Sequence, residues 1–237
     1  MDPARLFDPR ILLATVPVFL FSLSLHEFLH AWAADRLGDP GPRLSGRLTI
    51  NPLAHYDIVG TTFGLLFRVF GWAKPVPVNP LALQRPKRDM MLTALGGPAV
   101  NVVLAICFLV AFRLLQLVDP AGLGGGAKTF ELFERMAAYG VFLNLALAIF
   151  NLIPLYPLDG HHIVRGFLND KATEAYERTK HIGGYILMFL IVLSFATRGP
   201  SILSIIIFRP ILFITQAALT NAQYVKLWNI VSLLMPW

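Results

Sequence analysis

The sequence predicts an all-α polytopic membrane protein, and three observations support that class. Of its 237 residues 56% are hydrophobic and only 14% charged, where a soluble domain carries about a quarter charged residues. Mean hydropathy is +0.62. The apolar residues gather into long stretches, several near the ~20 residues a helix needs to span a hydrocarbon core of about 30 Å. The expected architecture is about five transmembrane helices, a re-entrant or interfacial segment and a short extended strand, in one membrane-embedded domain over residues 1–237.

The first element runs from Ile11 to Ala33, about 23 residues. "AWA" at 31–33 mimics a cleavage site, but the apolar run is long for a signal peptide and reads as an uncleaved span. The next stretch, 56–71, is short and holds Gly60, Gly64, Gly71 and Arg68. "GWAKPVPVNP" follows at 71–80, where Pro75, Pro77 and Pro80 exclude helix and leave an extended strand. Spans are expected at 92–118 and 137–157, joined by the Gly-rich loop "AGLGGGAK" at 121–128. Stretches 182–197 and 201–221 close the chain, separated by "RGPS", and Arg209-Pro210 interrupts the second. Two spans are expected there, with no evident chemistry.

A formal charge of +6 could suggest nucleic acid, but no basic run or interleaved aromatic pattern accompanies it. In a membrane protein such an excess marks cytoplasmic loops. The one cysteine, Cys107, excludes a disulfide framework and a Cys-based metal site.

"SLHEFLHAW" at 24–32 places His26, Glu27 and His30 inside the first span. Each charge at a bilayer centre costs roughly 2.5–3.5 kcal/mol, which argues for a function over a mere polar contact between helices. Four residues apart on a helix, His26 and His30 share a face and can both reach one tetrahedral Zn²⁺ at about 2.0–2.1 Å. Glu27 suits a general base for water attacking a carbonyl. A third ligand is required, and "NLIPLYPLDGHHI" at 151–163 supplies candidates. Asp159 is one, because Pro154 and Pro157 break the helix before it and free backbone carbonyls, tolerable only where protein or water surrounds them. His161 and His162 are rival ligands, or interfacial histidines at a span end. His55 and His181 flank spans and take the interfacial reading.

Taken together, "HEFLH", "GGPAVN" at 96–101 and "NLIPLYPLDG" at 151–160 resemble the site-2 protease family of intramembrane zinc metalloproteases. "NPLAHYDIVGT" at 51–61 and "GWAKPVPVNP" are similar to its short bacterial branch, with no PDZ- or CBS-type domain in view. The resemblance covers about Ser22 to Arg165. It implies one zinc held by His26, His30 and Asp159, with Glu27 catalytic, and a core at about 11–165 followed by C-terminal spans at about 182–221. It also implies a transmembrane protein as substrate, cut within or near its span. Where relatives often carry glycine after Leu-Asp-Gly, this chain has His161.

Asn101 and Asn151 are candidate substrate-binding or oxyanion groups. The alternative is a helix–helix hydrogen bond worth about 0.6 kcal/mol, which suits Asn101, since Gly96-Gly97-Pro98 before it reads as a helix start. Asn144, two turns before Asn151, reads as a packing residue. In the strand, Pro75 and Pro77 blunt one edge while Val76 and Val78 keep N–H donors on the other. Those two are candidates for pairing with an unwound substrate by β-augmentation.

The two motif-bearing spans meet at one depth only if they run parallel, so 56–71 should not cross the bilayer and 92–118 should be the single crossing between them. With that parity thirteen Lys and Arg fall on the site side, Arg68 and Lys226 among them, against five on the other. The positive-inside rule then faces the site to the cytoplasm of a cell membrane, most simply a bacterial inner membrane. The rival readings are a membrane metal-ion transporter, which needs several polar spans, and a di-iron oxygenase, which needs more histidines than the six here.

Overall fold

The computed structural model describes residues 7–68, 71–196 and 201–235. Its first helix, α1 (Pro9–Arg36), opens at Asp8, whose carboxylate accepts from the Arg10 N–H at 2.8 Å. Pro9 takes the first helical position, where a missing N–H costs nothing. The helix stops where Gly38 adopts φ 112° and lets the Asp39 N–H fold back on the Ala34 carbonyl. Two single-turn helices, α2 (Gly41–Leu44) and α3 (Pro52–His55), lead to α4 (Ile58–Phe67). Next come α5 (Pro86–Leu115), a 3-10 segment (Pro120–Gly126) and α6 (Ala127–Asn151). Five shorter helices complete the chain: α7 (Asp159–Phe167), α8 (Asp170–Glu177), α9 (Lys180–Ala196), α10 (Ile202–Ala218) and α11 (Asn221–Leu234).

Among the described residues three helices are long and apolar enough to cross a membrane: α1, α5, and α6 with its 3-10 lead. The apolar α9 and α10 have 17 residues each, about 26 Å of helix, short of the usual span. Within the bundle α6 is central. Some 72% of its apolar window is buried, against 50% in α1 and 28% in α5. Phe142 of α6 sits 5.7 Å from the Phe208 ring of α10 and 6.1 Å from Trp228 of α11. Where α5 crosses α6, a Cβ on Gly140 would lie 2.4 Å from the Phe108 ring. Such close approach at small residues is how helices associate where lipid removes the hydrophobic drive.

Hydrogen bonds fix the helix directions. The Thr93 carbonyl of α5 meets His30, and Asn101, farther along α5, meets His26, so α1 and α5 are antiparallel. Asn144 of α6 bonds Ser22 of α1, and the chain beyond α6 brings Asp159 against His26 and His30. The helices α1 and α6 are therefore parallel, with one crossing between them.

That parity needs 56–71 to turn back, and it does. The ten residues of α4 give about 15 Å of helix, half a hydrocarbon core. The returning chain is stitched to α4 and α3 by the Trp72 N–H to the Gly60 carbonyl (3.3 Å) and the Lys74 N–H to the His55 carbonyl (2.8 Å). Gly71 and Gly64 touch backbone to backbone: a Cβ on Gly71 would lie 2.5 Å from Gly64 Cα. At the tip Arg68 takes φ 60° and is buried. Its Nη1 donates to the Leu234 carbonyl of α11 (2.8 Å), and its own carbonyl accepts from the Tyr139 hydroxyl (3.0 Å).

Four sequence expectations change. Residues 71–79 are neither helix nor strand among the described residues, because the donors that are paired go elsewhere: Trp72 to the Gly60 carbonyl, Lys74 to the His55 carbonyl and Asn79 to the Asp39 carboxylate. Gly96-Gly97-Pro98 lies inside α5, not at a helix start. Lys226 reaches Gln116 and Glu134 at the end of the bundle away from His30. Arg68 is a buried tip, not a loop charge. The break expected at Arg198-Gly199-Pro200 lies outside the described residues.

Candidate metal centre

On α1, His26 and His30 point the same way, and their Nε2 atoms are 3.0 Å apart. The other ring nitrogen of each is occupied. His26 Nδ1 lies 2.6 Å from Asn101 Oδ1, and His30 Nδ1 lies 2.8 Å from the Thr93 carbonyl. A carbonyl oxygen can only accept, so each Nδ1 carries the proton and each Nε2 presents a lone pair. Such outer partners fix the orientation of metal-binding histidines generally.

Asp159 comes to the same point from α7. Pro154 and Pro157 end the preceding helix, and the turn folds back tightly on itself: a Cβ on Gly160 would lie 2.3 Å from the Ile153 carbonyl oxygen. The Tyr176 hydroxyl, from α8, donates to the Pro154 carbonyl at 2.8 Å and braces the turn. Asp159 Oδ2 thus lies 3.3 Å from both His26 Nε2 and His30 Nε2, buried and, among the described residues, without a hydrogen-bond donor.

Two lone pairs and a carboxylate oxygen, all within 4.8 Å of one another, repel unless a cation lies between them. The donor set of two imidazoles and one carboxylate suits zinc, with a fourth position left for water or substrate. The site is also tightly enclosed. A Cβ on Gly97 would lie 2.4 Å from His26 Cε1 and 2.5 Å from His30 Nε2. Among the described residues this is the one cluster of three metal-binding side chains.

Beside it opens a cavity of about 560 Å³. Glu27 lines it, half-buried, with no hydrogen bond or ion pair among the described residues. Asn151 lines it too, its Nδ2 donating to the Leu147 carbonyl at 3.0 Å. Val76 and Val78 also line it, and neither N–H meets an acceptor among the described residues. Earlier in the same segment the Trp72 and Lys74 N–H groups are bonded to the Gly60 and His55 carbonyls. Leu187, Met188 and Ile191 of α9 line it as well.

Asn101 is elsewhere. It has 0% exposure, and its amide is spent on His26 and Asn144. His161 turns toward α8, stacked on Tyr176 at 4.7 Å with Nε2 3.5 Å from Glu177 Oε1. His162 lines the cavity outside the three-donor cluster. Burial, then the neighbouring His161, pushes its imidazole down to about 4, so it is neutral. His55 is buried with Nε2 on the Thr49 carbonyl at 2.8 Å, and His181 is exposed. Sequence reasoning missed the Thr93 carbonyl, which carries no side-chain signature. It also missed Gly97 as a packing site, although paired glycines within a span signal close helix contact.

Comparison with known proteins agrees with this geometry. Residues 14–194 match the family model described as Peptidase family M50. A Bacillus subtilis protein named "Putative zinc metalloprotease YwhC" is 32% identical over 192 residues, covering 81% of this chain and 86% of its own. Rip2 of Mycolicibacterium smegmatis, similarly named, is 30% identical over 186 residues, 77% of this chain and 68% of its own. Rip2 of Mycobacterium tuberculosis strain H37Rv is 32% identical over 183 residues, 75% and 65% respectively. No solved structure matches the chain.

Proposed function

We propose, from the premise that this chain belongs to peptidase family M50 and is a site-2 protease-like zinc metalloprotease, that it hydrolyses peptide bonds within or near transmembrane segments of other membrane proteins. One observation carries the reading: three convergent donor atoms share a cavity with a carboxylate that no hydrogen bond or ion pair holds among the described residues. His26, His30 and Asp159 would hold a single zinc ion. Bound there, zinc supplies a Lewis acid that acidifies water and polarises a carbonyl.

The chain's own residues do the rest. Glu27 takes the proton from the attacking water and gives it to the leaving amine nitrogen as the peptide bond breaks. Its carboxylate is free for this because no basic side chain pairs with it among the described residues. The Asn151 amide is placed to bond the substrate backbone, and Asn101 acts on His26 instead of on substrate. A helical substrate hides its carbonyls, so it must unwind locally. The N–H groups of Val76 and Val78, without an acceptor among the described residues, offer its main chain pairing donors in the same cavity as the donor cluster.

The orientation follows from charge. With Arg68 and Lys226 reassigned, eleven Lys and Arg in the site-side loops stand against Arg10, Lys128, Arg135 and Lys226 among the described residues at the other end. The positive-inside rule puts the site toward the cytoplasm of a cell membrane. The test is a cleavage assay on single-span membrane proteins with the purified wild type and Glu27→Gln. The variant should hold zinc at wild-type stoichiometry and cleave nothing, and turnover near the wild-type rate would overturn the role of Glu27.

A further inference from the structure

We propose that Asn144, which lies in α6 and touches no metal-binding atom, sets the tautomer of His26 by way of Asn101. It is a positioning residue for the metal centre. The proposal rests on His26 being a zinc ligand.

The argument starts from a group whose role is not negotiable. The Gly140 carbonyl can only accept, and one end of the Asn144 amide lies 2.9 Å from it, so that end is the nitrogen. The same nitrogen uses its second hydrogen on Ser22 Oγ, also at 2.9 Å. The other end of Asn144 is then the oxygen, and it faces Asn101 at 2.9 Å, so Asn101 presents its nitrogen there. The other end of Asn101 is the oxygen, 2.6 Å from His26 Nδ1. His26 must donate, and its proton sits on Nδ1. Each assignment forces the next, from a backbone carbonyl of α6 to the lone pair of Nε2 on α1.

Burial makes the order hard to reverse. Asn101 and Asn144 both have 0% exposure, as does Ser22. Turning Asn101 over would set its oxygen against Asn144 Oδ1 and leave two buried acceptors facing each other without a proton. Nothing in this chain of bonds depends on the metal, so the histidine is prepared before zinc arrives. The same four groups tie α1, α5 and α6 together just beneath the site.

Without the Asn144 acceptor, Asn101 is free to turn and offer its NH₂ to His26. The ring then moves its proton to Nε2, where it blocks the metal-facing lone pair. Asn144→Leu removes the acceptor. Asn144→Asp keeps an oxygen toward Asn101 and, protonated, can still donate once.

The experiment uses the full-length protein in detergent. Zinc affinity is read by competition with a chromophoric chelator, and the His26 tautomer by ¹⁵N shifts of labelled histidine in zinc-free protein at alkaline pH, assigned against His26→Gln. Asn144→Leu should weaken zinc binding by about 10–100-fold, the range seen for outer partners of metal ligands, and show His26 with its proton on Nε2. Asn144→Asp should stay within a few-fold of wild type and keep the proton on Nδ1. A folded Asn144→Leu that binds zinc at wild-type affinity with an unchanged tautomer overturns the proposal. Should that variant not fold, the wild type alone decides it: a proton on Nε2 of His26 overturns the relay. Undiminished zinc binding by His26→Gln would instead refute the metal-site reading beneath it.

Discussion

The α-carbon of Gly97, in α5, faces the rings of both His26 and His30, and a methyl group there would lie 2.4 Å from His26 Cε1. Both imidazoles are tethered at Nδ1, so neither can swing away without losing a buried hydrogen bond. Gly97→Ala should therefore keep the bundle folded at a cost of about 1–3 kcal/mol for overpacking, and weaken zinc binding at least tenfold. Zinc titration of the purified variant checks this. Wild-type affinity would mean that α5 can shift as a body.

Asp159→Ala removes one of three converging donors, so zinc content after dialysis should fall to background and cleavage should be lost. His161→Ala and His162→Ala should retain most of the metal, because neither side chain belongs to the converging set. Metal analysis of the three variants side by side decides the ligand. Loss of zinc in a histidine variant, with retention in Asp159→Ala, would assign it the other way.

Val76→Pro deletes one donor from the free edge beside the cavity and leaves the metal-binding residues untouched. A main-chain hydrogen bond is worth ~1 kcal/mol net, so cleavage should slow by roughly five- to tenfold or more while zinc stays bound. Val76→Thr keeps the N–H and the branched shape and should be far milder. Equal rates for Val76→Pro and wild type would remove the edge from substrate docking.

The turn-back of α4 is open to labelling. In a Cys107→Ser background, single cysteines at Arg43 and Arg88, both exposed, should react with an impermeant thiol reagent from the same membrane side. Labelling from opposite sides would mean that the segment crosses.

Much of the site was legible because its chemistry is written in side chains. Spacing of four brought His26 and His30 to one face, and the prolines before Asp159 announced a broken helix that could turn a carboxylate inward. The parity argument needed only the length of 56–71 and a fixed bilayer thickness. Other features were illegible for physical reasons. Thr93 acts through its carbonyl, which every residue possesses, and the partners of Asn101 and Asn144 depend on which helices meet, a relation that no single span encodes. The non-helical character of 71–79 was readable from its prolines, whereas the lack of a partner strand among the described residues was not, since pairing is a property of the neighbour. Lys226 was misplaced because the direction of α11 follows from tertiary packing alone.

The tie between Arg68 and the Leu234 carbonyl joins two places 166 residues apart in sequence, the second of them in the last turn of α11. The cavity wall formed by Val76 and Val78 stands on the returning arm of the hairpin that Arg68 anchors. Whatever displaces α11 therefore pulls on the foundation of that wall. A bulky group placed on α11 would perturb the unpaired N–H groups of Val76 and Val78 while leaving the metal-binding residues in place. A tag near Asp119, in the exposed connection between α5 and α6, would leave that foundation alone.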